Sequence, residues 1–246
     1  MSRRKNIYFL SDFHLGAKYI PDRMAQERKI TEFLDSIKDD AREIYLLGDI
    51  LDYWYEYRYV VPRGFVRFFG KLAELSDSGI KIYWFIGNHD IWIFDYLPAE
   101  LGVTVVDGEK IVETGGKTFF LAHGDSVGRR KRSFRMLRAI FRNKTCQKLY
   151  SAIHPRWTIP FALRWSESSR SGDDYPEYLG EGNEYLEEFA NSYQARHIDY
   201  FIFGHRHIML DKKLESGAEI IILGDWIHFN SYAVFDGTKV TLKKYV

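Results

Sequence analysis

Near the start of the chain, residues 7–14 read IYFLSDFH, in which four apolar residues run directly into Ser11, Asp12 and His14. The same pattern, an apolar run that ends in a polar junction, returns four more times. It is found at Glu43–Leu47 before Gly48-Asp49, Lys81–Ile86 before Gly87-Asn88-His89-Asp90, Thr118–Ala122 before His123-Gly124-Asp125, and Tyr200–Phe203 before Gly204-His205-Arg206-His207. Short runs that are apolar nearly throughout are typical of strands covered on both faces.

Helical patterns lie between the early strands. Residues 22–38 and 64–75 each place their apolar residues on one helical face. This alternation of strand and helix predicts an α/β core with right-handed crossovers. After Gly204 the pattern changes to strand–turn–strand, with hairpin signals at Ser216-Gly217 and Asp236-Gly237. We therefore expect two sheets, the second of them partly antiparallel.

Composition bounds the class of protein. The chain has 246 residues, enough for a large core, and we expect one domain over residues 1–246. Its single cysteine, Cys146, cannot form an internal disulfide, which favours a reducing compartment. No apolar run approaches the ~18–20 residues of a membrane-spanning helix, and the first run is too short for a signal peptide. We expect a protein that is cytoplasmic or peripheral to a membrane.

Residues 126–197 interrupt the alternation and are predicted to form a helical insertion. Residues 129–170 contain 12 Lys or Arg and one acidic residue, a local charge of +11 in a chain with a net charge of +1. Aromatic and aliphatic residues such as Phe141 and Trp157 are interleaved with these cations. Basic helices with aromatic faces lie on anionic bilayers. We therefore expect an anionic membrane surface as a partner, and a helical lid that covers acyl chains.

Two other interpretations of the insertion remain open. In one, the apolar residues pack the helices together and the basic residues form a solvated face. In the other, the segment binds single-stranded nucleic acid. Residues 171–190 hold seven acidic residues and no basic ones, which disfavours a continuous nucleic-acid groove. Arg164, Ser168 and Arg170 form a polar group that could bind a diphosphate, or could be ordinary loop polarity.

The side chains that could bind a metal or act in catalysis lie at the ends of the predicted strands. In open α/β sheets, ligands bind outside the carboxyl ends of the strands. Each of the five junctions supplies an oxygen or imidazole donor, a mixture that suits Mn, Fe or Zn better than Ca. A lone Asp or His there is usually a helix cap or a turn residue, but turn chemistry alone does not explain five such junctions in order. The donors exceed the needs of one ion, and two ions about 3.5–4 Å apart are an arrangement for in-line attack on phosphorus.

This order of junctions resembles the calcineurin-like metallophosphoesterases. The matching motifs are Asp12-x-His14, Gly48-Asp49-x-x-Asp52, Gly87-Asn88-His89-Asp90, His123 and Gly204-His205-x-His207. The resemblance implies a four-layer αββα sandwich of two mixed sheets with a helical lid insertion. It also implies that one divalent ion is held by Asp12, His14, Asp49 and His207, and a second by Asp49, Asn88, His123 and His205. His89 would assist departure of the leaving group, and Asp90 would orient His89.

Three further features resemble the UDP-2,3-diacylglucosamine diphosphatase family. They are the opening Phe9-Leu10-Ser11-Asp12-Phe13-His14-Leu15-Gly16, the insertion after His123-Gly124-Asp125, and Leu223-Gly224-x-Trp226. This resemblance implies cleavage of the pyrophosphate of a lipid-linked nucleotide, UDP-2,3-diacylglucosamine, with Asn88 and His89 among the substrate contacts. It implies Mn²⁺ and peripheral association with the cytoplasmic face of a Gram-negative inner membrane. The best-known members of that family carry Arg where this chain has His89.

Two other functions are compatible with the same residues. One is a soluble phosphoesterase of the same superfamily that acts on a nucleotide, a dinucleotide or nucleic acid. The other is a non-catalytic scaffold that keeps the fold and binds through its basic surface. A full set of ligand positions favours an enzyme over the scaffold.

Overall fold

The computed structural model describes residues 4–128, 132–168 and 177–246. Within these residues, a six-stranded sheet has the order β11-β10-β1-β2-β3-β4. Its strands are β1 (Asn6–Leu10), β2 (Ala41–Leu46), β3 (Lys81–Phe85), β4 (Thr104–Val106), β10 (Ser231–Phe235) and β11 (Val240–Lys244). Strands β1 to β4 are parallel, β10 lies beside β1 in antiparallel orientation, and β11 is antiparallel to β10.

The second sheet has five described strands in the order β5-β6-β7-β9-β8. They are β5 (Lys110–Thr114), β6 (Lys117–Ala122), β7 (Tyr200–Phe203), β8 (Met209–Lys213) and β9 (Glu219–Leu223). The central strands β6, β7 and β9 are parallel, and each edge strand is antiparallel to its neighbour. Both sheets are therefore mixed, as the resemblance implied.

The central strands of both sheets are buried on two faces, because each sheet packs against the other sheet on one side and against helices on the other. Along β1, Ile7 and Phe9 face the second sheet, and Tyr8 and Leu10 face the helices. The outer face of the first sheet is covered by α1 (Arg23–Ser36), α2 (Val66–Asp77) and α3 (Tyr96–Leu101). The outer face of the second sheet packs against α7 (Tyr185–Ser192). The result is the expected αββα sandwich.

The insertion contributes three further helices, α4 (Arg132–Arg142), α5 (Lys144–Ser151) and α6 (Pro155–Ser168). The sequence range of the insertion also contains α7, but α7 forms the fourth layer, since Leu186 and Ala190 pack into the core of the second sheet. The lid in the structure is therefore formed by α4 to α6. That residues 1–246 form one domain stays a prediction.

Candidate metal centre

The parallel register brings the strand ends to one edge of the molecule. Leu10 pairs with Leu46 in the first sheet, and Ala122 pairs with Phe203 in the second. The polar junctions that follow these strands therefore meet. The structure brings together all seven residues predicted as metal ligands: Asp12, His14, Asp49, Asn88, His123, His205 and His207.

One half of the centre forms around Asp12. The Nε2 atoms of His14 and His207 lie 3.6 and 3.3 Å from Asp12 Oδ1. His14 Nε2 also lies 3.7 Å from Asp49 Oδ2. The donor atoms of Asp12, His14 and His207 lie within 4.8 Å of one another, a spacing that suits a shared cation, and Asp49 Oδ2 lies next to His14.

The other half forms around His123. Its Nε2 lies 3.3 Å from Asp49 Oδ2, 3.2 Å from Asn88 Oδ1 and 3.2 Å from His205 Nδ1. Asp49 Oδ2 therefore belongs to both halves, while Asp49 Oδ1 accepts the His89 N–H at 2.8 Å. A carboxylate oxygen shared in this way is what a bridging ligand between two ions requires.

Asp12 provides a test of whether a cation fits. Its Oδ2 accepts bonds from the Ser11 hydroxyl at 2.6 Å and the His205 N–H at 2.8 Å. Its Oδ1 is fully buried, and no donor within the described residues bonds to it. A buried carboxylate oxygen without a partner is costly unless it binds a metal. Since this atom faces His14 and His207, the residues fit a divalent ion.

The backbone around the centre is strained. Five of the seven residues, Asp12, His14, Asp49, His205 and His207, have φ angles between 46° and 66°. Such left-handed conformations are uncommon outside glycine and are concentrated at functional sites. They turn each side chain inward immediately after its strand ends, which a continued strand would not do.

Two glycines allow the junctions to pack closely. A Cβ on Gly87 would lie 2.2 Å from Asp49 Oδ1, and one on Gly204 would lie 1.9 Å from the Ser11 Oγ. Any larger residue at either position would displace a carboxylate of the centre or its hydrogen-bond donor. This close approach explains the Gly of the Gly-Asn-His-Asp and Gly-His-x-His motifs.

The clustered carboxylates make the centre attract positive charge. Burial acts to lower the pKa of His123, but Asp49 above all outweighs it and raises the pKa of His123 to about 10. Burial acts to raise the pKa of Asp49, yet His123 and His89 hold it well below its usual range. Burial raises the pKa of Asp12. A site of this kind favours a bound cation.

Carboxylates and carbonyls behind the centre orient its histidines. Asp52 Oδ1 lies 3.4 Å from His14 Nδ1, and Asp225 Oδ2 lies 3.0 Å from His207 Nδ1. His123 Nδ1 lies 2.8 Å from the Leu47 carbonyl. Such partners fix the ring and the tautomer of a metal-binding histidine. Asp52 belongs to the Gly48-Asp49-x-x-Asp52 motif but was assigned no role. Asp225 was not predicted, although Gly224-Asp225 repeats the Gly48-Asp49 pattern at the end of β9.

His89 lies at the mouth of the centre, but Asp90 does not orient it. The two oxygens of Asp90 accept bonds from the N–H groups of Gly87 and Ile50 and from the Trp84 indole. The expected contact between Asp90 and His89 is therefore wrong, because consecutive side chains of this turn point in different directions. The group beside His89 Nδ1 is Asp52, whose carbonyl lies at 3.2 Å and whose Oδ1 lies at 3.5 Å.

A cavity of about 470 Å³ opens between the centre and the lid. Its polar end contains Asp52, Asn88, His89 and Asp125. The rest of its lining is mostly apolar or aromatic and includes Ile91, Trp92, Leu137, Ile140, Phe141, Tyr150, Phe161 and Ala162. The lid helices thus cover the centre, as expected, and leave an apolar space beside it.

Tyrosine hydroxyls join the lid to the core. Tyr55 donates to the Gln147 carbonyl at 2.6 Å, and Tyr53 hydrogen-bonds Tyr150 at 3.1 Å. Tyr57 hydrogen-bonds Thr158 on α6. These bonds hold α5 and α6 above the loop that follows Asp49.

The chain is similar to proteins of known family. The sequence profile of the calcineurin-like phosphoesterase family matches residues 5–209. The chain belongs to this family. A UDP-2,3-diacylglucosamine hydrolase of Porphyromonas gingivalis is 47% identical to this phosphoesterase, over 98% of this chain and 97% of that protein. A UDP-2,3-diacylglucosamine hydrolase of Neisseria meningitidis is 28% identical, over 93% and 92% of the two chains. The solved structure of Yfce, a phosphoesterase from E. coli, is 16% identical, covers 96% of this chain and 91% of its own, and has a TM-score of 0.49.

The predicted substrate group on the lid, Arg164, Ser168 and Arg170, falls partly outside the described residues. Arg164 is exposed on α6 and does not line the cavity. Arg170 lies outside the described residues, as does the side chain of Ser168. Among the helices that the structure describes, none combines the length and the apolar character needed to cross a bilayer.

Proposed function

We propose that this phosphoesterase hydrolyses the pyrophosphate bond of UDP-2,3-diacylglucosamine, giving 2,3-diacylglucosamine 1-phosphate and UMP. The main support for the proposal is that a polar centre and an apolar cavity lie next to each other. A carboxylate- and histidine-rich centre opens directly into an apolar cavity of about 470 Å³. A cavity of that size is typical of small-molecule sites, and this pairing fits a substrate with a diphosphate next to acyl chains. The names of the relatives in Porphyromonas gingivalis and Neisseria meningitidis support the same substrate.

The seven clustered residues would hold two divalent cations, with Mn²⁺ as the expected ion for a donor set of carboxylate, amide and imidazole groups. Bound there, the cations supply Lewis acidity toward the phosphate and toward water. The chain contributes the fixed geometry. Asp49 Oδ2 lies between the two halves, and the hydrogen bonds to its other oxygen and to Asp12 Oδ2 keep the remaining oxygens turned inward.

His89 would assist the departing sugar phosphate. Its Nδ1 lies against the Asp52 carbonyl, so that Nε2 is the nitrogen turned toward the centre, 4.0 Å from Asp49 Oδ2. A proton on Nε2 is then placed to reach the oxygen that leaves when water attacks the phosphorus next to uridine. Asp52 takes the positioning role that the resemblance implied for Asp90.

The outer face of the lid would rest on an anionic membrane. Leu149, Ile153 and Trp157 expose 65%, 50% and 68% of their surface, and Lys148 and Arg156 flank them. Exposed apolar side chains beside cations are characteristic of interfacial helices. A lid in this position would receive acyl chains from the bilayer, on the cytoplasmic face of a Gram-negative inner membrane.

The test is hydrolysis under Mn²⁺ of UDP-2,3-diacylglucosamine and of bis(p-nitrophenyl) phosphate, a small aryl diester. We expect kcat/KM to be at least ~10²-fold higher for the lipid nucleotide, because only that substrate fills the cavity. The products, identified by mass, should be UMP and the 1-phosphate. Equal rates on both compounds would instead favour a phosphoesterase of the same family acting on another phosphodiester.

Membrane association is tested separately by flotation with vesicles of phosphatidylglycerol and phosphatidylethanolamine. Trp157→Ala should reduce the bound fraction several-fold, since a large exposed ring is removed from the proposed contact face. Val66→Ala is the matched control, because Val66 is 76% exposed on α2 and carries no proposed contact. Equal binding by the two variants would contradict the assignment of this face.

A further inference from the structure

Arg138 is the one Lys or Arg among the described residues that line the cavity. It lies on the lid helix α4, beside Leu137, which faces the same space. Of the other polar groups at that end, Asn88, His89 and Asp52 belong to the metal centre or its mouth, and Asp125 faces Arg138. The cation is therefore placed at the boundary between the centre and the apolar part of the cavity.

A buried carboxylate holds this cation in place. Arg138 Nη1 lies 3.2 Å from Asp125 Oδ2, and the two side chains are 19% and 3% exposed. Asp125 follows His123 by two residues, so the contact links the lid to the strand end that carries a predicted metal ligand. The other oxygen, Asp125 Oδ1, is buried and accepts no hydrogen bond within the described part of the chain. A carboxylate in that setting is stabilised by an adjacent fixed cation.

We propose that Arg138 binds the sugar-side phosphate of the pyrophosphate, and that Asp125 positions it. This inference rests on the proposed function. When water attacks the phosphorus next to uridine, the bond from that phosphorus to the bridging oxygen breaks, and its electron pair stays on the sugar phosphate. A guanidinium carries five N–H donors in a planar fork, so one that is oriented by Asp125 is suited to receive phosphate oxygens. Arg138 keeps its proton throughout and stabilises the charge that develops on the leaving group.

The chain offers a matched control on the same helix. Arg142, one turn later on α4, pairs with Asp107 just after β4 and does not line the cavity. Both arginines therefore tie α4 to the core, but only Arg138 does so beside the centre. If Arg138 were merely an anchor for the lid, removing either pair would have a similar effect.

The experiment compares Arg138→Gln, Arg138→Lys, Asp125→Asn and Arg142→Gln with the wild type. Each is assayed on UDP-2,3-diacylglucosamine and on bis(p-nitrophenyl) phosphate, with bound metal and melting temperature measured in parallel. We expect Arg138→Gln to lower kcat/KM for the lipid nucleotide ~10²-fold, mainly in kcat, and to change the diester rate less than about threefold, since the diester has no second phosphate. Arg138→Lys should lower kcat/KM for the lipid nucleotide roughly tenfold, because lysine keeps the positive charge but lacks the planar set of N–H donors of a guanidinium. Asp125→Asn should move the ratio of the two rates in the same direction, a change that a purely structural role would not produce.

Arg142→Gln should leave both rates within about threefold of the wild type. Equal losses of Arg138→Gln on both substrates, or a loss of the same size in Arg142→Gln, would overturn the inference in favour of lid anchoring. Should Arg138→Gln fail to fold, Arg138→Lys carries the test, and its full activity on the lipid nucleotide would refute the role. Failure of the proposed function shows in the wild type alone, as absent hydrolysis of the lipid nucleotide, and would remove the inference with it.

Discussion

Asp52→Asn should weaken this enzyme in two separable ways. Asp52 Oδ1 lies 3.4 Å from His14 Nδ1 and 3.5 Å from His89 Nδ1, so one buried carboxylate faces a proposed metal ligand and the proposed proton donor. The amide of Asn keeps the shape of the side chain but removes the negative charge. Metal binding and the chemical step should therefore both respond.

The size of each effect follows from the contacts that remain. Losing a carboxylate behind a metal-binding histidine typically lowers metal affinity 10–100-fold, and Asp52 Oδ1 lies behind His14 in this way. His89 keeps the Asp52 carbonyl at 3.2 Å, which the substitution leaves in place. We therefore expect a smaller loss, roughly tenfold in kcat at saturating metal, or about 1.4 kcal/mol.

The assay is a Mn²⁺ titration of the hydrolysis rate, read as the half-saturating concentration and the plateau. Asp225→Asn is the control, because Asp225 contacts His207 and His228 but not His89. It should raise the half-saturating concentration and recover the wild-type plateau. A full plateau in Asp52→Asn would refute the role of Asp52 toward His89, and an unchanged half-saturating concentration would refute its role toward His14.

Four further predictions use single substitutions. Asp49→Ala should abolish turnover and lower the metal content of the purified protein, measured by elemental analysis, because it removes the oxygen shared by both halves. His89→Ala should lower turnover ~10²–10⁴-fold with metal retained, and a full rate would withdraw its catalytic role. Asp90→Ala should lower the free energy of unfolding by ~3 kcal/mol or more, since three buried N–H donors lose their acceptor. The melting temperature should fall by roughly 6–12 °C, and a shift below about 2 °C would contradict this. Burial acts to raise the pKa of Asp199, but the Thr118 N–H and Lys117 outweigh it and lower that pKa. The ionised carboxylate therefore stabilises the folded protein fully above the pKa of the unfolded chain, near 3.8. This stabilisation is lost as pH falls through the lower pKa of the folded state. Asp199→Asn should therefore reduce the acid-induced fall in melting temperature below about pH 4, and an unchanged slope would argue against it.

The clustering of the predicted metal ligands could be predicted from sequence because it depends on local features of the chain. Each donor follows a buried strand within a few residues, and parallel strands end at one edge, so Asp12, Asp49 and His123 had to meet. What the pattern does not contain is the direction of each side chain within a turn. Asp90 is adjacent to His89 in sequence, yet it reaches back to the Gly87 N–H. The orientation of such turn residues depends on left-handed backbone angles that the neighbouring strands impose.

The position of the lid was harder to predict, since the charge and aromatic content of the insertion do not determine what its helices contact. The deciding contacts come from the core. Tyr53, Tyr55 and Tyr57 alternate along the chain, so that their hydroxyls all reach α5 and α6. Between them, Trp54 and Glu56 face inward, and Glu56 accepts the N–H groups at the start of α3.

Residues 49–57 therefore connect the metal centre to the lid. Asp49 lies between the proposed ions, Asp52 orients two histidines, and the alternating tyrosines that follow hold the lid. Because these roles fall within nine consecutive residues, the apolar cavity begins where the polar centre ends. A substrate that spans this boundary must place its charged and apolar parts next to each other, as a diphosphate joined to an acylated sugar does. The short distance along the chain is thus the physical reason why the polar centre and the apolar cavity share one boundary, which is the arrangement that the proposed lipid-linked nucleotide requires.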